Sequence, residues 1–176
     1  MQSKKASKRY AKALFIAAKD KKKEKEVFLD CNHILNILNR ELKLIHLIKN
    51  PTVKKTIKIS VLKKIFITNL SKTTMDFLIL VIQKGREIMI KDIIMNYGVL
   101  YNIENNIIDA EIISSRPMSE TLKEAIKHRI SPNREVKLTE KIDNDLLGGF
   151  VVRTGDLQYD ASVRKKINNV KRAFKL

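Results

Sequence analysis

The chain has 176 residues, 44% of them hydrophobic and 6% aromatic, with no Trp, so it has room for one large domain or two small ones built on aliphatic cores. Its formal net charge is +17, as in a nucleic-acid or anionic-membrane binder. Cys31 is the single cysteine, which excludes an internal disulfide and a cysteine-based zinc site, and points to a reducing compartment and a buried structural thiol.

Helical periodicity runs through almost all of the first 105 residues. Ala6, Tyr10, Ala13, Leu14 and Ala17 share one face of a first helix, with Ser3 or Ser7 as its cap and Lys5, Lys8, Lys12 and Lys19 opposite. The basic opening has the flavour of a transit peptide, but the segment from Tyr10 to Phe15 reads as part of the folded domain. The apolar-free run from Lys19 to Glu26 reads as a solvated connection or a helix end. Phe28, Cys31, Ile34, Leu35 and Leu38 mark a second helix; Leu44, Leu47 and Ile48 mark a third, ended by Asn50-Pro51. A fourth is expected from Val53 to Leu70, with Ile57, Val61, Leu62 and Ile65 inward.

The fifth helix, capped by Thr73 or Thr74, is apolar nearly all round from Met75 to Ile82, which predicts burial on more than one side, and it stops near Gly85. A sixth runs from Ile88 to Tyr101. The expected fold class is therefore mainly α: an N-terminal bundle of about six helices over residues 1–105, then a small α+β domain over 106–176. The charge divides unevenly, with 22 Lys and Arg against 9 Asp and Glu before residue 106, and 14 against 10 after it.

In the second part, Ala110 to Ser115 is β-prone and stops before Pro117, and Ser119 starts a helix with Leu122, Ala125 and Ile126 inward. Arg134 to Ile142 alternates as a half-buried strand does. Phe150 to Thr154 and Leu157 to Tyr159 are further strands, and the stretch from Val136 to Asp160 is expected to form a β-hairpin-like unit. Asp160 or Ser162 caps a last helix with Val163, Ile167, Val170 and Phe174 on one side.

No active site emerges. There is no Gly-Lys-Ser/Thr phosphate loop, and Gly148-Gly149 lacks the lysine and helix start that would hold an anion, so it reads as a backbone kink or bulge. His33, His46 and His128 have no metal-ligand spacing, and Asp143, Asp145, Asp156 and Asp160 flank turns and a helix start, where Asp is favoured in any case. No strand is studded with aromatic residues for base stacking, and no apolar run nears the roughly 20 residues of a membrane span. Lys outnumbers Arg about three to one, and Ile, Lys and Asn, all with A/T-rich codons, form about a third of the chain; such a bias supplies positive charge without selection for a polyanion.

Three segments resemble the delta subunit of the F-type ATP synthase, the bacterial counterpart of the mitochondrial oligomycin-sensitivity-conferring protein. They are Arg9-Tyr10-Ala11-Lys12-Ala13-Leu14-Phe15, the stretch from Phe77-Leu78 to Gly85-Arg86, and the C-terminal pattern of Asp143, Gly148, Gly149, Arg153, Gly155, Asp160 and Ser162. Arg9 departs from the pattern, since many relatives carry Pro before the Tyr.

The resemblance implies a non-catalytic stator subunit without a cofactor. It would link the N-terminal helix of the alpha subunit to the C-termini of the b subunits, among other ATP synthase subunits, with no nucleic-acid partner and no insertion into the membrane. It would sit at the cytoplasmic face of a bacterial cell membrane. A groove for the alpha helix needs small residues for close approach and larger anchors, and Tyr10, Ala13, Leu14, Ala17, Phe77, Leu80, Val81 and Lys84 are the candidates. The alternative is a basic, helical nucleic-acid-binding protein.

Overall fold

A computed structural model describes residues 2–66, 69–155 and 157–173. The fold is mainly α, with a small four-stranded sheet toward the C-terminus, in the order α1 (Gln2–Asp20), α2 (Glu24–Arg40), α3 (Leu42–Lys49), α4 (Lys55–Phe66), α5 (Lys72–Gln83), a 3₁₀ turn (Glu87–Met89), α6 (Ile90–Glu104), β1 (Ile107–Ser114), α7 (Glu120–Ile130), β2 (Glu135–Ile142), β3 (Phe150–Thr154), β4 (Leu157–Asp160) and α8 (Val163–Ala173). It divides into two compact units, Met1–Tyr101 and Asn102–Leu176.

The first unit is a bundle whose continuous core takes Leu14 and Phe15 from α1, Val27 and Ile34 from α2, Leu62 and Phe66 from α4, Leu78 and Ile82 from α5, and Ile93 and Tyr97 from α6. Burial of these side chains is non-directional, and contacts with a defined geometry accompany it. Tyr97 Oη donates to the Glu24 carbonyl at 3.1 Å, and the Phe28 and Tyr101 rings stack with centroids 4.2 Å apart.

Three expectations for this unit need correcting. Ser7 does not cap α1: the helix already includes Gln2, and the Ser7 hydroxyl donates back to the Lys4 carbonyl at 3.0 Å; the Ser3 side chain lies outside the described residues. The cap of α5 is Ser71, not Thr73 or Thr74, and its Oγ accepts from Thr74 N. The fourth helix ends at Phe66, short of Leu70, and turns a different face inward: Lys58, Leu62 and Phe66 are buried while Ile57 and Ile65 are exposed. An apolar pattern cannot reveal that face, because Lys58 enters the interior as an ion pair, its Nζ 2.7 Å from Glu87 Oε1.

Helix α5 does stop at Gly85 as expected. Gly85 takes φ +66°, its N–H donates to Ile82 O at 2.9 Å, and Arg86 N donates to Val81 O at 3.0 Å, which is the Schellman arrangement a glycine permits.

The second unit is a sheet in the order β2-β1-β3-β4, with β1 parallel to β2 and antiparallel to β3, and β3 antiparallel to β4. Helix α7 is the crossover between the parallel pair. The stretch from Val136 to Asp160 is therefore not one hairpin. Strand β1 lies between β2 and β3, placing Ile112 opposite both Glu140 and Val152. The tight hairpin is β3–β4, turning at Gly155, with Val152 opposite Tyr159. Phe174, expected on the last helix, and Asp156, beside Gly155, lie outside the described residues.

Candidate functional site

The buried stripe of α1 is Ser7, Ala11, Leu14, Phe15 and Ala18, turned by about one residue from the stripe read in the sequence. That turn leaves Ala13 and Ala17 exposed, with Tyr10 half-buried beside them. The small side chains leave the α1 backbone open to close approach on this face, and Tyr10 carries an apolar ring with a polar tip. Leu14 is only 2% exposed, so it supports this face from within the core rather than lining it.

Helix α5 divides in the same way. Thr74, Leu78, Val81 and Ile82 are buried, Val81 completely. Phe77 is half-buried, Leu80 is 44% exposed and Lys84 is exposed; their spacing of three and four puts all three on one outward face. Both ends of this helix are tied to its neighbours. At its start Asp30, buried on α2, accepts from Ser71 N, Ser71 Oγ and Thr74 Oγ1, and Lys21 from the α1–α2 turn donates to Thr73 Oγ1 at 3.5 Å. At its end Lys55 Nζ donates to the Gln83 carbonyl at 2.9 Å.

In the second unit, the C-terminal pattern residues build the junction between sheet and last helix. Asp143 N donates to Ser114 O at 2.9 Å, and Asp143 Oδ1 accepts from Asp145 N at 3.0 Å, closing an Asx turn after β2. Gly148 O accepts from Val163 N at 3.0 Å, and Gly149, at φ +78°, lies so close to the next segment that a Cβ would stand 2.4 Å from Ala161 O. Asp160 Oδ1 accepts from Ser162 N at 2.8 Å, a backbone bond that holds the Asp160 carboxyl below its ordinary range. Ser162 Oγ then caps α8 by accepting from Lys165 N at 3.2 Å. Arg153 stands on the outer sheet face, where it donates to Gln158 Oε1 at 3.2 Å.

Around that junction lie two apolar surfaces. A groove of about 840 Å³ opens between α7 and one sheet face, lined by Leu122, Ile126, Phe150, Val152, Leu157 and Tyr159. Leu157 is 78% and Tyr159 58% exposed, although both sit on a strand. On α8, Val163, Ile167 and Val170 are exposed at helical spacing. The sequence placed Leu122 and Ala125 facing a core; both are exposed toward this groove instead, because α7 packs against β2 and leaves the β3–β4 half of the face open. The alternation of Leu157 and Tyr159 in so short a strand was the signal for the groove. Among the described residues no cluster of His, Cys, Asp and Glu is arranged to hold a metal ion, and no helix is long and apolar enough to cross a membrane.

Comparison with known proteins gives this geometry a context. A family model described as "ATP synthase delta (OSCP) subunit" matches residues 6–174. The chain is 32% identical over 165 residues to the ATP synthase subunit delta of Desulforudis audaxviator, covering 93% of this chain and 91% of that one. It is 31% identical to that of Fusobacterium nucleatum, covering 92% and 93%. A chain of the Toxoplasma gondii mitochondrial ATP synthase hexamer has the same fold, with a TM-score of 0.77 over 97% of each chain at 18% identity.

Proposed function

The chain belongs to the ATP synthase delta (OSCP) family and is a stator component of the F-type ATP synthase, and on that premise we propose that it ties the catalytic head to the peripheral stalk without catalysing any step itself. The observation that carries this reading is the extent of the family match, which runs through both compact units rather than one. A linker needs two separate seats, and each unit offers one. The alpha subunit's N-terminal helix lies against the outward faces of α1 and α5, with Tyr10, Ala13, Ala17, Phe77, Leu80 and Lys84 in contact and Leu14 and Val81 behind them. The b subunits' C-terminal ends lie on the second unit, where the groove beside α7 and the α8 stripe are open.

Mechanically, such a link resists torque. The rotor drags on the head, and a stalk fixed to the membrane sector holds the head still only if the joint outlasts each rotational step. Two packed seats with buried anchors serve that need better than surface ion pairs, which salt screens. The chain stays at the cytoplasmic face of a bacterial membrane through these partners. Nothing in the family match or the relatives supports the nucleic-acid alternative.

Calorimetry with a synthetic peptide of the alpha subunit's N-terminus tests the first seat. Tyr10→Ala is expected to cost roughly 2 kcal/mol of binding, as a hot-spot aromatic does. Unchanged affinity would remove Tyr10 from the interface.

A further inference from the structure

Helix α5 poses a rotational problem. Met75, Phe77, Leu78, Ile79, Leu80, Val81 and Ile82 make it apolar nearly all round. Turning such a helix by one residue exchanges one set of apolar side chains for another, so burial alone separates the settings weakly. Directional bonds in the interior must decide which face looks outward.

The bonds that do so converge on one atom. Asp30, on α2, is a buried carboxylate whose Oδ2 accepts from Ser71 N at 3.0 Å, Ser71 Oγ at 2.6 Å and Thr74 Oγ1 at 2.6 Å. Because Ser71 donates its hydroxyl proton to Asp30, the lone pairs of Ser71 Oγ are left for the cap bond from Thr74 N, at 3.3 Å. The carboxylate also lies at the start of α5, where the helix dipole favours negative charge. One side chain of α2 thus fixes the cap, the height and the rotation of α5.

We propose that Asp30 is a positioning residue for the partner seat: it selects the rotation of α5 that turns Phe77, Leu80 and Lys84 outward. The link to binding rests on the reading that α5 receives the alpha-subunit helix; the rotational role stands on the hydrogen bonds alone.

The test uses the full-length chain and two readouts, amide hydrogen exchange and calorimetric binding of the alpha N-terminal peptide. Asp30→Ala is compared with Cys31→Ala, which opens a cavity at the next position of α2 without touching the α5 cap. Asp30→Ala is expected to raise exchange selectively at residues 74–83 and to weaken peptide binding about tenfold at a temperature where the variant is folded. Asp30→Asn, which keeps an acceptor oxygen, recovers most of both, and Cys31→Ala produces neither selective effect. Should Asp30→Ala fail to fold, Ser71→Ala removes the hydroxyl's bonds to Asp30 and Thr74 and is expected to give the same pattern more weakly. Exchange rising evenly through the bundle, or Asp30→Ala and Cys31→Ala behaving alike, overturns the proposal. If the wild-type chain does not bind the peptide, the seat on α1 and α5 is wrong, while the exchange pattern still decides the role of Asp30.

Discussion

Gly149 and Gly155 both hold a positive φ, but their surroundings differ. A Cβ on Gly149 would strike the Ala161 backbone, whereas one on Gly155 would meet nothing within 4 Å. Gly149→Ala is therefore expected to cost about 3 kcal/mol in denaturant unfolding, and Gly155→Ala about 1 kcal/mol, from backbone conformation alone. Equal losses at the two sites would contradict the close approach. Lys58 makes a second test. At 1% exposure its charge is tolerable only because of Glu87, so Lys58→Met should cost about 3 kcal/mol by leaving that carboxylate unpaired, and adding Glu87→Gln should return most of it. Cys31 is a third: burial pushes its thiol up to about 12, with the nearby Asp30 charge adding to the effect, so a thiol reagent at pH 8 should label it only as fast as the protein opens. The sequence already favoured a buried thiol here, since Cys31 sits on the apolar stripe. It gave no sign of Lys58 or Asp30, whose burial depends on partners far along the chain.

At the level of elements, hydrophobic spacing located the eight α-helices of the described residues but placed their faces less well. On α1 and α4 the true buried face is rotated from the apolar stripe, because Ser7 and Lys58 occupy interior positions that pattern reading assigns to solvent. In the sheet, β-prone composition and, for β2, alternation identified the strands, but pairing depends on which strand can be buried on both faces. Strand β1, with Ile112 and Ile113 both buried, takes the centre and separates β2 from β3. Two joints between elements should show in acid. Glu140 accepts from Met118 N at 2.7 Å and pairs with Lys123, which holds its carboxyl low; Asp160 is held low by the Ser162 backbone. A depressed carboxyl adds stability above its unfolded pKa and loses it as pH falls through its folded one, so these joints weaken below about pH 5. Glu140→Gln should flatten part of the acid limb of a stability–pH curve and leave its shape near neutrality unchanged. An identical acid limb would show that the Glu140 joint contributes nothing.

For the whole molecule, the net charge of +17 is the most visible property of the sequence and the least informative about its role. The family was legible instead in small, spaced features: Tyr10 with Ala13, the glycine that ends α5, and the Gly148-Gly149 pair whose steric need the structure explains. The faces proposed to bind partners were only half legible, since an apolar residue at helical spacing looks the same whether it meets the core or another chain. Leu14 is buried and Leu80 is exposed, yet both read alike in the sequence. Coupling of the head to the stalk by this chain can be measured by returning it to ATP synthase membranes of its own organism stripped of their delta subunit and following ATP-driven proton pumping. Pumping is expected to recover in proportion to the chain bound. Bound, folded chain with no recovery of pumping would contradict it.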